Sequence, residues 1–351
     1  MELVETDGKS GAKVYRLVDD PRPADNIYGE QPYSSEQGNR VAIRLYAEGE
    51  ADGGLSLLDL EDASLHTVLD KSPRFPAFHG WSEYLYYQEE VDGKLLLKRC
   101  DYQTLEKETV LELPTDEGRL SYGTVSRDHR FYAVSMHRDD GSSFVRAIDL
   151  ASGESRCLVD STERYFKHEQ FSSDGSNRLL IQANSTDVKQ VGLGVLHPEA
   201  EGLEWLAADH PHTPRPTGHE AWVGDTDRVF FSTGVGDEGQ SNVWTAGVGD
   251  AHPASVCDTP MRFGHVSVSS CGRFWIGDAT GEGEIPIYLG SFETGRCLSL
   301  VKSRTKHDGQ QWSHTHPYLT VDSRWLIFTS NQAGHPQVYG ARVPEAFLDS
   351  L

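Results

Sequence analysis

The sequence predicts an all-β protein, a seven-bladed β-propeller forming one domain over residues 1–351, and three observations carry that expectation. Apolar runs are short and broken by Gly, Asp and Ser instead of following a helical period. A layout of about 46 residues recurs along the whole chain. The leading slot of that layout holds histidine in four successive copies.

The layout is a lead residue, an apolar residue three positions on, a polar turn and then a strand. His168 with Phe171 leads into Leu179-Leu-Ile-Gln, and His219 with Trp222 into Val229-Phe-Phe-Ser. His265 with Val268 precedes Phe274-Trp-Ile-Gly, and His316 with Leu319 precedes Trp325-Leu-Ile-Phe. Glu30 with Tyr33, Phe75 with Phe78 and Tyr122 with Val125 fit the same frame, so the seven leads fall 45 to 51 residues apart. Later in each copy come a strand, a tight turn and a strand, clearest in 144–159 and 287–301. About four strands per copy at this period is the signature of propeller blades. The last copy ends at Gln337-Val-Tyr-Gly-Ala-Arg-Val343 and lacks a fourth strand, which Lys13–Leu17 could supply to close the ring.

Composition narrows the function. Lys plus Arg number 32 against 54 Asp plus Glu, a formal net charge of −22. That disfavours nucleic acid and acidic membrane surfaces, where affinity comes from neutralising phosphate. No run reaches the roughly 20 apolar residues of a membrane helix. The N-terminus lacks a basic, then apolar, secretory pattern, and five Cys without CxxC pairing read as buried reduced thiols. A cytoplasmic protein is therefore expected.

In a propeller the first strand of each blade lines the axis, so residues 168, 219, 265 and 316 should share one space. With 15 His in the chain, chance would place only about 0.3 in seven such slots. Gln311-Trp-Ser-His314-Thr-His316 sharpens the pattern, because residues two apart on a strand face one side. With His265 from the neighbouring blade and the Gln311 amide oxygen, this offers three imidazoles and one oxygen; Gln310 could replace Gln311. Such donors suit Mn, Fe, Ni, Zn or Cu rather than Ca or Mg. Three imidazoles buried without a common partner would be costly to desolvate. His168 can equally be an ordinary packed histidine. Gly234–Gly239 matches a dinucleotide fingerprint as a string, but it joins strands and carries Asp237 and Glu238, so it reads as a hairpin.

Thr217-Gly-His219-Glu-Ala-Trp222, Phe263-Gly-His265-Val-Ser-Val-Ser, the Gln311–His316 run and Leu326-Ile-Phe-Thr-Ser-Asn-Gln-Ala-Gly334 resemble the oligogalacturonate lyases of polysaccharide lyase family 22. The opening Asp7–Leu17 is similar too. The resemblance implies a seven-bladed propeller with a Mn-type divalent ion, cleaving short pectin fragments, an anionic oligosaccharide substrate, by β-elimination. It implies His265, Gln311, His314 and His316 as metal ligands and His219 as the base, with His168 assisting binding or the leaving group. Zn, Ni or Fe would also fit that donor set.

Two departures stand out. The family's blade-four Arg is absent from 187–196, where Lys189 is the nearest cation but lacks a guanidinium's fork. The family's Glu-Gly-Pro is replaced by Gln182-Ala-Asn-Ser-Thr186. The metal half of the pattern is kept and the substrate half differs. Two rival classes share parts of the pattern: a non-catalytic propeller with a structural metal, and a sugar-acid isomerase or epimerase.

Overall fold

The computed structural model describes residues 1–28, 31–47, 53–70, 76–234, 241–279, 284–306 and 313–351. Gln310, Gln311, the lead residues Glu30 and Phe75, and all of the Gly234–Gly239 run beyond Gly234 lie outside them. The architecture is an all-β propeller arrangement, and the one α-helix among the described residues is Glu345–Leu348.

Among the described residues, six hydrogen-bonded sheets follow one another along the chain. Four have four antiparallel strands in sequence order, for example Arg164–Phe171, Leu179–Ser185, Val191–Leu196 and Glu204–Trp205. A fifth has five strands, in which Lys13–Arg16 pairs antiparallel with Gln337–Arg342 and Glu2–Thr6 adds outside it. The sixth has eight strands.

The expectation of seven separate blades is therefore corrected to five single-blade sheets and one double-sized sheet. In that sheet Pro76–Phe78 and Arg119–Val125, the innermost strands of two successive repeats, pair in parallel through Gly123 with Ala77 and Thr124 with Phe78. The Thr124 hydroxyl also donates to the Phe78 carbonyl at 3.1 Å. Gly123 makes room for Tyr132 of the next strand, whose ring would sit 2.4 Å from a Cβ there.

The apolar core lies between sheets, as it must where each sheet buries both faces. Leu326 and Phe328 pack with Ile276 and Leu289 of the preceding sheet. Across the junction of the chain ends, Trp325 and Ile327 pack with Val41 and Ile43. Asn26 fastens this junction: it accepts from the Thr329 hydroxyl at 2.7 Å and donates to the His316 carbonyl at 2.7 Å. Cys100 and Cys257 are buried, but Cys157 and Cys271 are exposed, contrary to the expectation of five buried thiols. No helix among the described residues is long and apolar enough to cross a membrane.

Candidate metal centre

The inner strands are irregular at one equivalent point. The pairing register of Arg164–Phe171 shifts between Lys167 and Gln170, of Pro216–Trp222 between Pro216 and Glu220, and of Phe263–Val268 between Phe263 and Val266. Arg119–Val125 shifts between Leu120 and Gly123. Each shift brackets a lead residue: His168, His219, His265 or Tyr122. Extra residues in one strand, two in Pro216–Trp222 and one in each of the others, kink it and re-aim side chains, so a recurring defect turns these four side chains to the axis. His168 itself has φ 58°, and Gly218 before His219 has φ 93°.

His314 and His316 arrive differently from the expectation. The innermost strand of their sheet is only Tyr318–Leu319, so neither residue is on a strand. His316 has φ 39° and is followed by Pro317, which together end any extended run. Between them Thr315 turns the other way and its hydroxyl donates to Asp278.

The outcome is a compact imidazole cluster. His265, His314 and His316 each offer a nitrogen, and these nitrogens all lie within 4.8 Å of one another. The His265 ring centroid is 5.1 Å from that of His314 and 4.6 Å from that of His316. His219 stands beside them, 4.6 Å from His265 by ring centroid. His168 sits across from the cluster and reaches it through Tyr28, whose hydroxyl is 3.0 Å from His168 Nε2 and whose ring is 5.1 Å from His316. On its other side, His168 Nδ1 is 3.3 Å from the fully buried Glu220 carboxylate.

The donor set suits a borderline divalent ion. His265 Nδ1 donates to Asp278 Oδ2 at 2.7 Å, and its backbone N–H donates to Oδ1 at 2.8 Å. That carboxylate fixes the ring and turns the Nε2 lone pair toward the other two imidazoles, an outer-shell arrangement typical of metal-bound histidine. Burial alone would raise the Asp278 carboxyl, but the His265 charge and the hydrogen bonds from His265 and Thr315 outweigh it and hold it low. Burial, then electrostatic repulsion from the neighbouring imidazoles of His265, His314 and His219, pushes His316 well below the usual histidine range. A neutral imidazole is the form that binds metal.

The other predicted residues fall elsewhere. Lys189 lies on the exposed hairpin between Leu179–Ser185 and Val191–Leu196 and pairs with Asp187 at 2.9 Å. It lines a surface pocket with Arg164, Trp205 and Asp209, and is not brought to the histidines. Sequence reasoning missed Asp278, Tyr28 and Arg44. Asp278 had a legible signal, a charge inside the otherwise apolar strand Phe274–Ala279, and Arg44 a weaker one, a charge following the apolar run Val41–Ile43 of Arg40–Leu45; Tyr28 had none.

No protein-family model matches the chain. Two curated proteins are similar over nearly the full length: an oligogalacturonide lyase of Pectobacterium atrosepticum, 20% identical over 97% of this chain and 95% of its own, and an oligogalacturonate lyase of Dickeya dadantii, 21% identical with the same coverage. Among solved structures, an oligogalacturonate lyase in complex with manganese superimposes with a TM-score of 0.79 at 18% identity, over 99% of this chain and 98% of its own. An oligogalacturonate lyase from Vibrio parahaemolyticus gives 0.78 at 17%, with the same coverage. In sequence and in fold, from end to end, the chain is similar to the oligogalacturonate lyases.

Proposed function

We propose that this protein is a metal-dependent lyase that cleaves short galacturonate oligosaccharides by β-elimination. Its manganese-type ion would be held by His265, His314, His316 and Gln311. The observation that carries the reading is the convergence of His265, His314 and His316 beside His219, in a chain whose full-length relatives bear the lyase name. We also read the molecule as one domain of seven blades, counting the eight-stranded sheet as two and closing the ring with Lys13–Arg16. Apolar layers on both sides of the Tyr84–Val91 strand support that count. A cytoplasmic setting is supported by the free thiols.

The chemistry follows from a uronate's weakly acidic C5 proton. When bound, the ion supplies a positive centre for the sugar carboxylate, into which charge spreads as that proton leaves. His219 accepts the C5 proton as the general base. The C5–H electron pair becomes the C4–C5 double bond, the C4–O4 bond breaks, and O4 leaves with a proton. Tyr28 and His168 would deliver it: Glu220 fixes the His168 ring, and His168 Nε2 meets the Tyr28 hydroxyl. The ring contacts run His219, His265, His316, Tyr28, so base and acid stand at opposite ends of the cluster. Galacturonate has H5 and O4 on opposite faces of its ring and needs that separation.

The test is to mix Mn-loaded protein with galacturonate oligomers and follow the absorbance of the new conjugated double bond. His219→Ala should abolish the signal and keep manganese bound, while His265→Ala, His314→Ala and His316→Ala should each lose the metal. Metal-loaded wild type that leaves every uronate oligomer intact would sink the reading.

A further inference from the structure

We propose that Arg44 binds the carboxylate of a second uronate unit, so that the site reads at least two consecutive acidic sugars. The inference rests on the lyase reading and extends it to substrate recognition.

Arg44 stands on Arg40–Leu45, opposite Asp25 in the register, and reaches across the ring to donate to the Tyr122 hydroxyl at 2.6 Å. Tyr122 is the lead residue of its own repeat, turned to the axis by the same register shift as the histidines. Its ring lies 6.2 Å from that of Tyr28, which touches both His168 and His316. The guanidinium is thus tied into the wall facing the imidazole cluster.

A half-buried guanidinium needs acceptors, and here, beyond the hydroxyls of Tyr122 and Tyr46, they fall short. It has five donors in a fixed fork, yet its Nε is buried without a hydrogen-bond partner. Asp25 is the nearby carboxylate, but both its oxygens are engaged, Oδ1 by the Ile27 N–H at 2.8 Å and Oδ2 by the Tyr46 hydroxyl at 2.5 Å. Asp25 balances the charge without filling the fork. An incompletely satisfied cation inside a ring, in a chain of net charge −22, is costly unless an anion completes it. A carboxylate is the planar, two-oxygen group that a guanidinium fork matches. An oligouronate carries one carboxylate per sugar, so with one at the metal, its neighbour's is the ligand this fork would take.

The experiment compares trigalacturonate with galacturonate monomer by calorimetry on the Mn-loaded, full-length His219→Ala protein, in which the fragments persist. Adding Arg44→Gln should weaken trimer binding at least tenfold, leave monomer binding and manganese content within twofold, and reduce the salt dependence of trimer binding. Arg44→Lys should recover part of the loss. A structural role would weaken trimer and monomer alike, and that result, or unchanged trimer affinity, overturns the proposal. Should Arg44→Gln fail to fold, Tyr122→Phe loosens the guanidinium without removing charge and should weaken trimer binding severalfold; equal binding there overturns it too. Steady-state cleavage by otherwise wild-type protein separates the two ideas. An Arg44→Gln enzyme that cleaves with unchanged KM removes the second subsite and leaves the lyase standing. Wild type that cleaves nothing removes both.

Discussion

The Asp278 carboxylate is the least visible and most consequential group of the metal centre. It touches no proposed substrate, yet it fixes the His265 ring, its backbone and the Thr315 hydroxyl at once. Asp278→Asn should lower manganese affinity by about 10- to 100-fold, the usual cost of losing such a partner, as read by titration with the metal; unchanged affinity would mean His265 is held by packing alone. Glu169, beside His168, is buried to the same degree, with no ion pair among the described residues. Burial pushes its carboxyl up to about 8, against weaker pulls from backbone N–H groups and Lys167. The native state therefore holds a proton that the unfolded chain releases above about 4.5. That contribution is complete below the unfolded value and fades as pH climbs to 8. His137 acts on the other limb: burial, then Arg119, lowers it to about 4, so stability falls as pH drops from 6.5 toward 4. Melting curves from pH 5 to 8 should show Glu169→Gln losing the alkaline decline that wild type displays; parallel curves would contradict it.

The recurring register shift explains what could and could not be read from the chain. The lead positions were legible because the shift falls at the same point of each repeat, so His168, His219 and His265 kept their spacing. The shift itself was hidden, since an extra residue or two barely disturbs the polar and apolar alternation. The same blindness placed His314 and His316 on a strand that begins only at Tyr318. It also separated two repeats whose inner strands pair in parallel. Lys189 is near the histidines only in sequence, while Arg44, tied to Tyr122, comes from a sheet more than a hundred residues away from it, and only folding brings it toward the axis. Gly218 shows the element's demand most directly: its φ of 93° is strained for any other residue, and an added Cβ would lie 3.0 Å from the Gln182 amide. Gly218→Val should cost about 1–2 kcal/mol of stability and move His219. Cleavage should drop at least tenfold with manganese content unchanged, because His265 stands on a different sheet. Metal loss in that variant would show the two sheets to be coupled.

Ring closure links stability to the site. The strand Lys13–Arg16 covers the edge of Gln337–Arg342, and Asn26 joins Thr329 to the His316 carbonyl across the same junction. Two of the three clustered imidazoles, His314 and His316, belong to the sheet that the N-terminal strands complete. Deleting residues 1–17 leaves an unpaired edge, which invites aggregation, and frees the sheet to move away from His265. The truncated protein should therefore melt lower and also lose manganese, although every proposed ligand remains. The metal should in turn brace the intact ring. An ion that binds only the folded state, at a hundredfold above its Kd, adds about 2.7 kcal/mol, or a few degrees in Tm for a chain of this size. Wild type should show that rise with Mn²⁺ and lose it to chelator. His265→Ala should show no rise, because its remaining imidazoles all sit on one side of the gap the ion would span. A truncated protein that still gained the full increment would mean that the chain ends contribute nothing to the geometry of the centre.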